Sequence, residues 1–215
     1  MQAIFLDKDG TLVENVPYNV NPQLIELTWL AGPALQLFQQ MGYRLFVVSN
    51  QAGIAKGIFT ESALGPVERR LGELLAQYGV RLDGFYYCPH SPQGVINRYA
   101  VACTCRKPMP GMLTRAANDH GIDLHRSWMI GDILDDVEAG QRAGCRTVLI
   151  DNGNETEWKM SPQRKPDLTV PNLYAAARAI EAYGRLPLEG SVDDMGNLVT
   201  PLPANGSVGG EAARP

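Results

Sequence analysis

No stretch of this chain is long and apolar enough to span a bilayer, and no run of lysine and arginine is interleaved with aromatic residues. The first absence argues against a membrane protein. The second argues against a nucleic-acid partner. Met1-Gln2-Ala3 passes directly into an apolar segment, without the basic and apolar regions of a signal peptide, so a cytoplasmic location is expected. Cysteine is scarce, four residues in 215, and in that setting disulfides are not expected. Internal repeats are lacking, and the length leaves no room for a second domain beside a full core. A net charge of −4 means that an anionic substrate has to be met by locally placed cations.

What is present alternates. Apolar runs suited to strands lie near 2–7, 44–49, 84–88, 127–131 and 145–150, with a weaker one near 167–170. Amphipathic stretches near 33–41, 61–78, 110–120, 134–143 and 172–183 separate them, and this order predicts an α/β fold with a parallel sheet covered on both faces. In the second helical stretch Leu64, Val67, Leu71, Leu74, Leu75 and Tyr78 recur mostly three and four apart, which marks one buried face. Gly42, Gly79, Gly121 and Gly144 each follow such a stretch as helix stops. From 184 to 215 the composition shifts to Gly, Pro, Asn, Ser and acids and reads as a tail. Two long connections, at 12–32 and after Ser49, are loops of the kind that carry function.

The first strand ends in Asp7-Lys8-Asp9-Gly10-Thr11. Alone, Asp-x-Asp reads as a solvated acidic turn. Ligands of open α/β sheets bind at the carboxyl ends of strands, however, and both aspartates arrive at that rim. A carboxylate there can attack phosphorus, and a second one can act as general acid and then base. Further along, Ser49-Asn50-Gln51 ends the second strand with a hydroxyl and two amides, Arg106-Lys107 supplies fixed cations, and Gly131-Asp132 delivers another carboxylate followed by Asp135 and Asp136. Together these form a kit for phosphoryl transfer.

Cys88-x-His90 and Cys103-x-Cys105 form two close pairs of soft or borderline ligands, suited to a closed tetrahedral zinc site. The spacing lacks the two-residue gap of zinc fingers, so unrelated free thiols remain the alternative. Cys145 opens an apolar strand and reads as a small core residue. His120 and His125 flank a helix end as caps or solvent-facing groups, and Trp29, Trp128 and Trp158 read as packing.

In this order the motifs resemble the haloacid dehalogenase superfamily of aspartate-based phosphatases. Within it, Asp7-Lys8-Asp9-Gly10-Thr11, Ser49-Asn50-Gln51-Ala52-Gly53-Ile54-Ala55-Lys56-Gly57 and Cys88-Pro89-His90 continued by Cys103-Thr104-Cys105-Arg106-Lys107-Pro108 are similar to the D-glycero-D-manno-heptose 1,7-bisphosphate 7-phosphatases, with histidinol-phosphate phosphatase as a relative. The resemblance covers nearly all of 1–183. It implies a Rossmann-like, doubly wound, capless core with a zinc-binding loop at 88–105, acting on a small phosphorylated sugar as a cytoplasmic monomer in lipopolysaccharide heptose biosynthesis. Asp7 is then the nucleophile and Asp9 the acid and base. Mg2+ is held by Asp7, the Asp9 carbonyl and Asp132, with Asp136 in support. Ser49, Asn50 and Lys107 bind the transferring phosphoryl group, while Arg106, Gln51 and Asn15 to Tyr18 contact the rest of the substrate. Structural Zn2+ is held by Cys88, His90, Cys103 and Cys105.

Two features depart from the pattern. Ile133 stands where the heptose enzymes commonly carry a lysine, and Val16-Pro17-Tyr18-Asn19 replaces their Gly-Tyr segment. Against histidinol-phosphate phosphatase stand the longer interval from His90 to Cys103 and the heptose-like Gly53-Ile54-Ala55-Lys56-Gly57. A silent zinc-stabilised binding module predicts a lost nucleophile or metal acid, and none is lost. A mutase or phosphotransferase needs a cap to exclude water, which this length does not supply.

Overall fold

A computed structural model describes residues 1–185. Six parallel strands, β1 (Ala3–Leu6), β2 (Arg44–Asn50), β3 (Gly84–Cys88), β4 (Trp128–Gly131), β5 (Arg146–Ile150) and β6 (Leu168–Val170), form one sheet in the order β3-β2-β1-β4-β5-β6. Helices α1 (Ala31–Gln40), α2 (Leu64–Ala76), α3 (Gly111–His120), α4 (Leu134–Ala143) and α5 (Leu173–Gly184) alternate with them. This is the doubly wound arrangement expected from the sequence. Its strand order reverses between β1 and β4, which are paired through Ile4–Trp128, Phe5–Met129 and Leu6–Ile130. A reversal of this kind opens a crevice at the carboxyl ends of those two strands.

Both faces of the sheet are covered, so the strands read as continuous apolar runs rather than alternating ones. Ala3, Phe5, Phe46, Val48 and Met129 pack on one face against Met112, Leu113 and Ala116 of α3 and Ala139 of α4. Cys145 lies in the same cluster, and burial pushes its thiol up to about 12, as befits a core residue. His120 is partly covered and rests its ring 4.9 Å from that of Phe46.

Sequence periodicity misplaced some edges. The first helix starts at Ala31, two residues before Pro33, because a proline in the first turn removes an N–H that has no intrahelical partner anyway. The 61–78 stretch opens as a 3-10 turn (Glu61–Ala63) before α2 begins, and Pro66 again occupies a first turn. Gly42, Gly79, Gly121 and Gly144 all adopt positive φ, as helix stops require. Tyr78 is 39% exposed rather than buried, its ring lying flat over Gly32, where a Cβ would meet it. Trp29 and Trp158 do not pack as expected, being 68% and 47% exposed, whereas Trp128 is buried. Both exposed indoles sit on connections rather than on a face turned to the sheet.

The 12–32 connection folds back on itself. Val13 bridges Leu27, Glu14 N–H donates to Glu26 O at 3.0 Å, and Thr28 N–H to Leu12 O at 3.1 Å. The chain divides into units 1–179 and 180–215. The second is described only at its start, where Glu181 pairs with Arg185 at 2.6 Å. The remainder of the Gly/Pro-rich tail lies outside the described residues. Among the described residues no helix is long and apolar enough to cross a membrane.

Phe46 fills the centre of the α3-side core. Phe46→Ala is expected to lower the unfolding free energy by about 3–5 kcal/mol, measured by urea denaturation with the m-value unchanged. A loss below about 1 kcal/mol would contradict close packing on that face.

Candidate active site

Strands β1, β2 and β4 end around one buried ammonium. Lys107 is 2% exposed, and its Nζ donates to Val48 O at 3.0 Å, pairs with Asp136 Oδ1 at 2.6 Å and donates to Asp7 Oδ1. Burial alone would lower its pKa. The facing carboxylates of Asp136 and Asp7 outweigh that and hold it above the ordinary lysine value, so the cation is permanent. Asn50 fixes the Lys107 backbone from both sides, with Nδ2 donating to Lys107 O at 3.1 Å and Oδ1 accepting from Lys107 N–H at 3.0 Å. Asp7 is itself anchored across the switch point by its N–H to Ile130 O at 2.9 Å.

Asp7, Asp132 and Asp136 are buried, with carboxylate oxygens within 4.8 Å of one another. Burial, and then the charge of Asp7, pushes Asp132 up to about 6. Asp136 is also raised by burial, held back by Lys107, and raised further by Asp7 and Asp132. Three carboxylates thus face one ammonium, and the site lacks positive charge. A hard, oxygen-liganded divalent cation fits that deficit. Two glycines make the crowding possible, since a Cβ at Gly131 would strike the Asp136 carboxylate and one at Gly10 would strike Asp132 Oδ2.

The Asp9 side chain points elsewhere, accepting from Lys8 Nζ at 2.6 Å and from Gln51 Nε2 at 3.4 Å. Gln51 also donates to Ser49 Oγ at 2.7 Å, so both motif strands share one polar chain. Burial raises the Asp9 carboxyl above its ordinary value despite Lys8. The other expected substrate positions diverge. Tyr18, at φ 55°, accepts from Lys56 Nζ at 2.6 Å. Asn15 instead lines a cleft of about 390 Å³ with Gly10, Thr11, Trp29, Asn152 and Asn154. Arg106 Nη1 donates to His90 O at 3.3 Å.

Cys88, His90, Cys103 and Cys105 converge, free of disulfides. Sγ···Sγ separations are 3.5 Å for Cys88–Cys103, 3.1 Å for Cys88–Cys105 and 3.3 Å for Cys103–Cys105, and His90 Nδ1 lies 3.3 Å from Cys105 Sγ. Zinc–sulfur bonds of about 2.3 Å set tetrahedral edges of about 3.8 Å, so the four donors are already gathered, somewhat more tightly than a bound zinc would hold them. Arg106 N–H donates to Cys103 Sγ at 3.3 Å, which ties the cluster to the residues that follow it.

Several residues here escaped the sequence reading. Lys8, 1% exposed, supplies a second buried cation. Thr11 Oγ1 donates to Asp132 Oδ1 at 3.2 Å and Asn154 Nδ2 to Asp132 Oδ2 at 2.7 Å. Thr11 and Lys8 had a signal, their place inside the Asp-x-Asp motif. Asn154 had none, because only the adjacency of β4 and β5 brings it there.

The HAD-hydrolase-like family model matches residues 104–176. A D-glycero-beta-D-manno-heptose-1,7-bisphosphate 7-phosphatase of Yersinia pestis is 40% identical over 154 residues, 70% of this chain and 81% of the relative. The chain belongs to the haloacid dehalogenase superfamily of phosphatases. Among solved structures, a putative HAD-like phosphatase from Mesorhizobium loti is 36% identical at a TM-score of 0.74, covering 86% of this chain and 88% of that one. The D,D-heptose 1,7-bisphosphate phosphatase of B. bronchiseptica, complexed with magnesium and phosphate, is 26% identical at a TM-score of 0.70, covering 85% of this chain and 99% of that one. The phosphatase is thus similar over most of its length to enzymes of one kind.

Removing the central cation should leave three carboxylates unopposed. Lys107→Met is expected to destabilise the metal-free phosphatase by about 3–5 kcal/mol at neutral pH, read by chemical denaturation in chelator. A neutral or stabilising result would show that the ammonium is not the compensating charge.

Proposed function

We propose that residues 1–183 form a magnesium-dependent phosphatase domain that removes the 7-phosphate of D-glycero-D-manno-heptose 1,7-bisphosphate, a cytoplasmic step towards lipopolysaccharide heptose. The observation that carries the chemistry is the buried Lys107 holding one oxygen of Asp7 beside Asp132 and Asp136. The substrate is inferred from what the similar enzymes are named to act on.

In this reading Asp7 attacks phosphorus through a carboxylate oxygen, and the ester P–O bond breaks as the acyl-phosphate bond forms. Asp9 gives its proton to the departing sugar oxygen, and its raised pKa favours that role. The Asp9 carboxylate then takes a proton from water, whose oxygen attacks phosphorus. Phosphate leaves and Asp7 is restored. Lys107 keeps the Asp7 carboxylate oriented and offsets phosphoryl charge. Ser49, held by Gln51, and Asn50, locked to Lys107, frame the phosphoryl pocket. Arg106, Tyr18 and Asn15 meet the remainder of the substrate. Asp7, the Asp9 carbonyl and Asp132 would hold Mg2+, which when bound supplies shielding between the anionic nucleophile and the anionic phosphate.

Structural Zn2+ on Cys88, His90, Cys103 and Cys105 belongs to the same reading. Four protein ligands leave no place for a reactive water. Its function is to hold the 88–105 loop, whose Ser91 N–H donates to Tyr99 O at 3.0 Å and whose Val95 and Ile96 N–H groups both donate to Ala55 O. The protein is taken to act as a monomer.

Phosphate release across both heptose 1,7-bisphosphate anomers, histidinol phosphate and simple sugar monophosphates tests the substrate. A heptose bisphosphate should win, and preference for histidinol phosphate would refute the assignment. Asp7→Asn should abolish turnover while preserving the unfolding midpoint, and any substantial residual rate would sink the covalent route. Metal analysis of protein purified without added metal should give one zinc per chain, lost in Cys103→Ser, and a zinc-free wild type would remove the structural-metal reading.

A further inference from the structure

The connection after β5, residues 151–165, runs back over the site at the point where Asp132 leaves β4. Asn152 Nδ2 donates to Gly10 O at 2.8 Å, and Asn152 Oδ1 accepts from Asn154 N–H at 3.2 Å. The turn so formed aims Asn154 Nδ2 at Asp132 Oδ2, 2.7 Å away. An ionised carboxylate only accepts hydrogen bonds, so the amide NH2 has to face it. Gly10, at φ +86°, leaves space for this contact, since a Cβ there would strike both Asp132 Oδ2 and Asn154 Nδ2.

The same segment is stapled to α4. Leu134 N–H, at the start of that helix, donates to Glu155 Oε2 at 2.7 Å. Ile133, the residue at the N-cap, has no side-chain oxygen for this purpose, so Glu155 does remotely what Ser or Asp usually does locally. Farther along, Arg164 pairs with Asp135 and Glu138, each at 2.6 Å. Glu138 also takes Arg142 at 2.6 Å. Burial would raise the Glu138 carboxyl, but the two guanidinium groups outweigh it and hold it below its usual value, so the staple is charged.

The geometry points to Asn154 as the positioning residue of Asp132. It fixes the carboxylate rotamer from one side while Thr11 Oγ1 fixes it from the other, and the Asn152 turn, bonded to Gly10 O, holds Asn154 in place. Partners of this kind, one bond removed from a metal, typically govern affinity by about 10–100-fold when removed. The inference rests on the reading that Asp132 binds a divalent cation.

The test is binding of Mn2+ alone, followed by electron paramagnetic resonance on substrate-free protein, for wild type, Asn154→Ala, Glu155→Ala and Asp132→Asn. Asn154→Ala should weaken Mn2+ binding by about 10–100-fold while its unfolding midpoint in chelator stays near that of wild type. Glu155→Ala should do the reverse, losing the α4 cap and stability with little change in binding. In turnover, the activity lost by Asn154→Ala should return as Mg2+ is raised. Equal Mn2+ affinity in Asn154→Ala and wild type would overturn the inference. So would a loss of binding that merely tracks a loss of stability equal to that of Glu155→Ala. Wild-type Mn2+ binding indifferent to Asp132→Asn would instead overturn the metal reading itself, which separates the two failures.

Discussion

The Lys107 ammonium is the constraint on which the site depends. It is enclosed by Val48 O from β2, Asp7 after β1 and Asp136 in the first turn of α4. Those three elements meet at one point because β1 lies between β2 and β4 at the reversal of strand order. A buried lysine without counter-charge would lose its proton. A cluster of buried aspartates without a cation would take protons up. The carboxylates therefore keep the lysine charged, the lysine in turn opposes the rise that burial imposes on Asp136, and Asn50 ensures that the lysine arrives at the right height by gripping its backbone at both N–H and C=O.

The Cys/His cluster and the carboxylate cluster are joined through a single residue of chain. Cys105 closes the sulfur group and Lys107 enters the carboxylate group, with Arg106 between them giving its N–H to Cys103 Sγ. Much of the 88–105 loop has little apolar surface to bury, and Val95 and Ile96 remain 71% and 38% exposed. Apolar contact reaches the loop at few points, chiefly Tyr99 against Ile54, Ala55 and Leu64, while the four soft donors converge at its two ends. The position of Lys107 is therefore tied to the order of that cluster through Arg106.

The architecture was legible in the sequence because both faces of the sheet are covered, so each strand was a continuous apolar run and each helix a 3.6-residue pattern between glycine stops. The Asp7, Ser49 and Asp132 positions were legible for a related reason, since each is the first polar residue at the carboxyl end of such a run or its last member. The helix start expected at 33 was misjudged because proline is tolerated throughout a first turn and so does not mark one position within it, and the one expected at 61 because residues 61–63 form a 3-10 turn ahead of α2. Trp29 and Trp158 misled because residue type predicts burial only on an element with a face to bury. Asn152, Asn154 and Glu155 carried no readable signal. They lie in a polar connection without periodicity, and their partners Gly10, Asp132 and Leu134 become neighbours only through the pairing of β1 with β4 and of β4 with β5.

The charges gathered at this site make it costly to fold. Asp7, Asp132 and Asp136 have one ammonium among them, while Lys8 is committed to Asp9. Burial of such a set without further compensation works against the native state by raising carboxylate pKa values, as at Asp132 and Asp136. The protein offsets this with neutral donors, from Thr11 and Asn154 to Asp132 and from Ile133 N–H to Asp136 Oδ2 at 3.3 Å. These satisfy lone pairs but supply no charge, so the deficit persists in the folded chain. A cation bound only by the native state removes the deficit and adds RT ln(1 + [L]/Kd) to stability. The features that suit this site to a metal and those that strain the metal-free fold are therefore one electrostatic fact, and a substitution that removes a carboxylate would weaken both together.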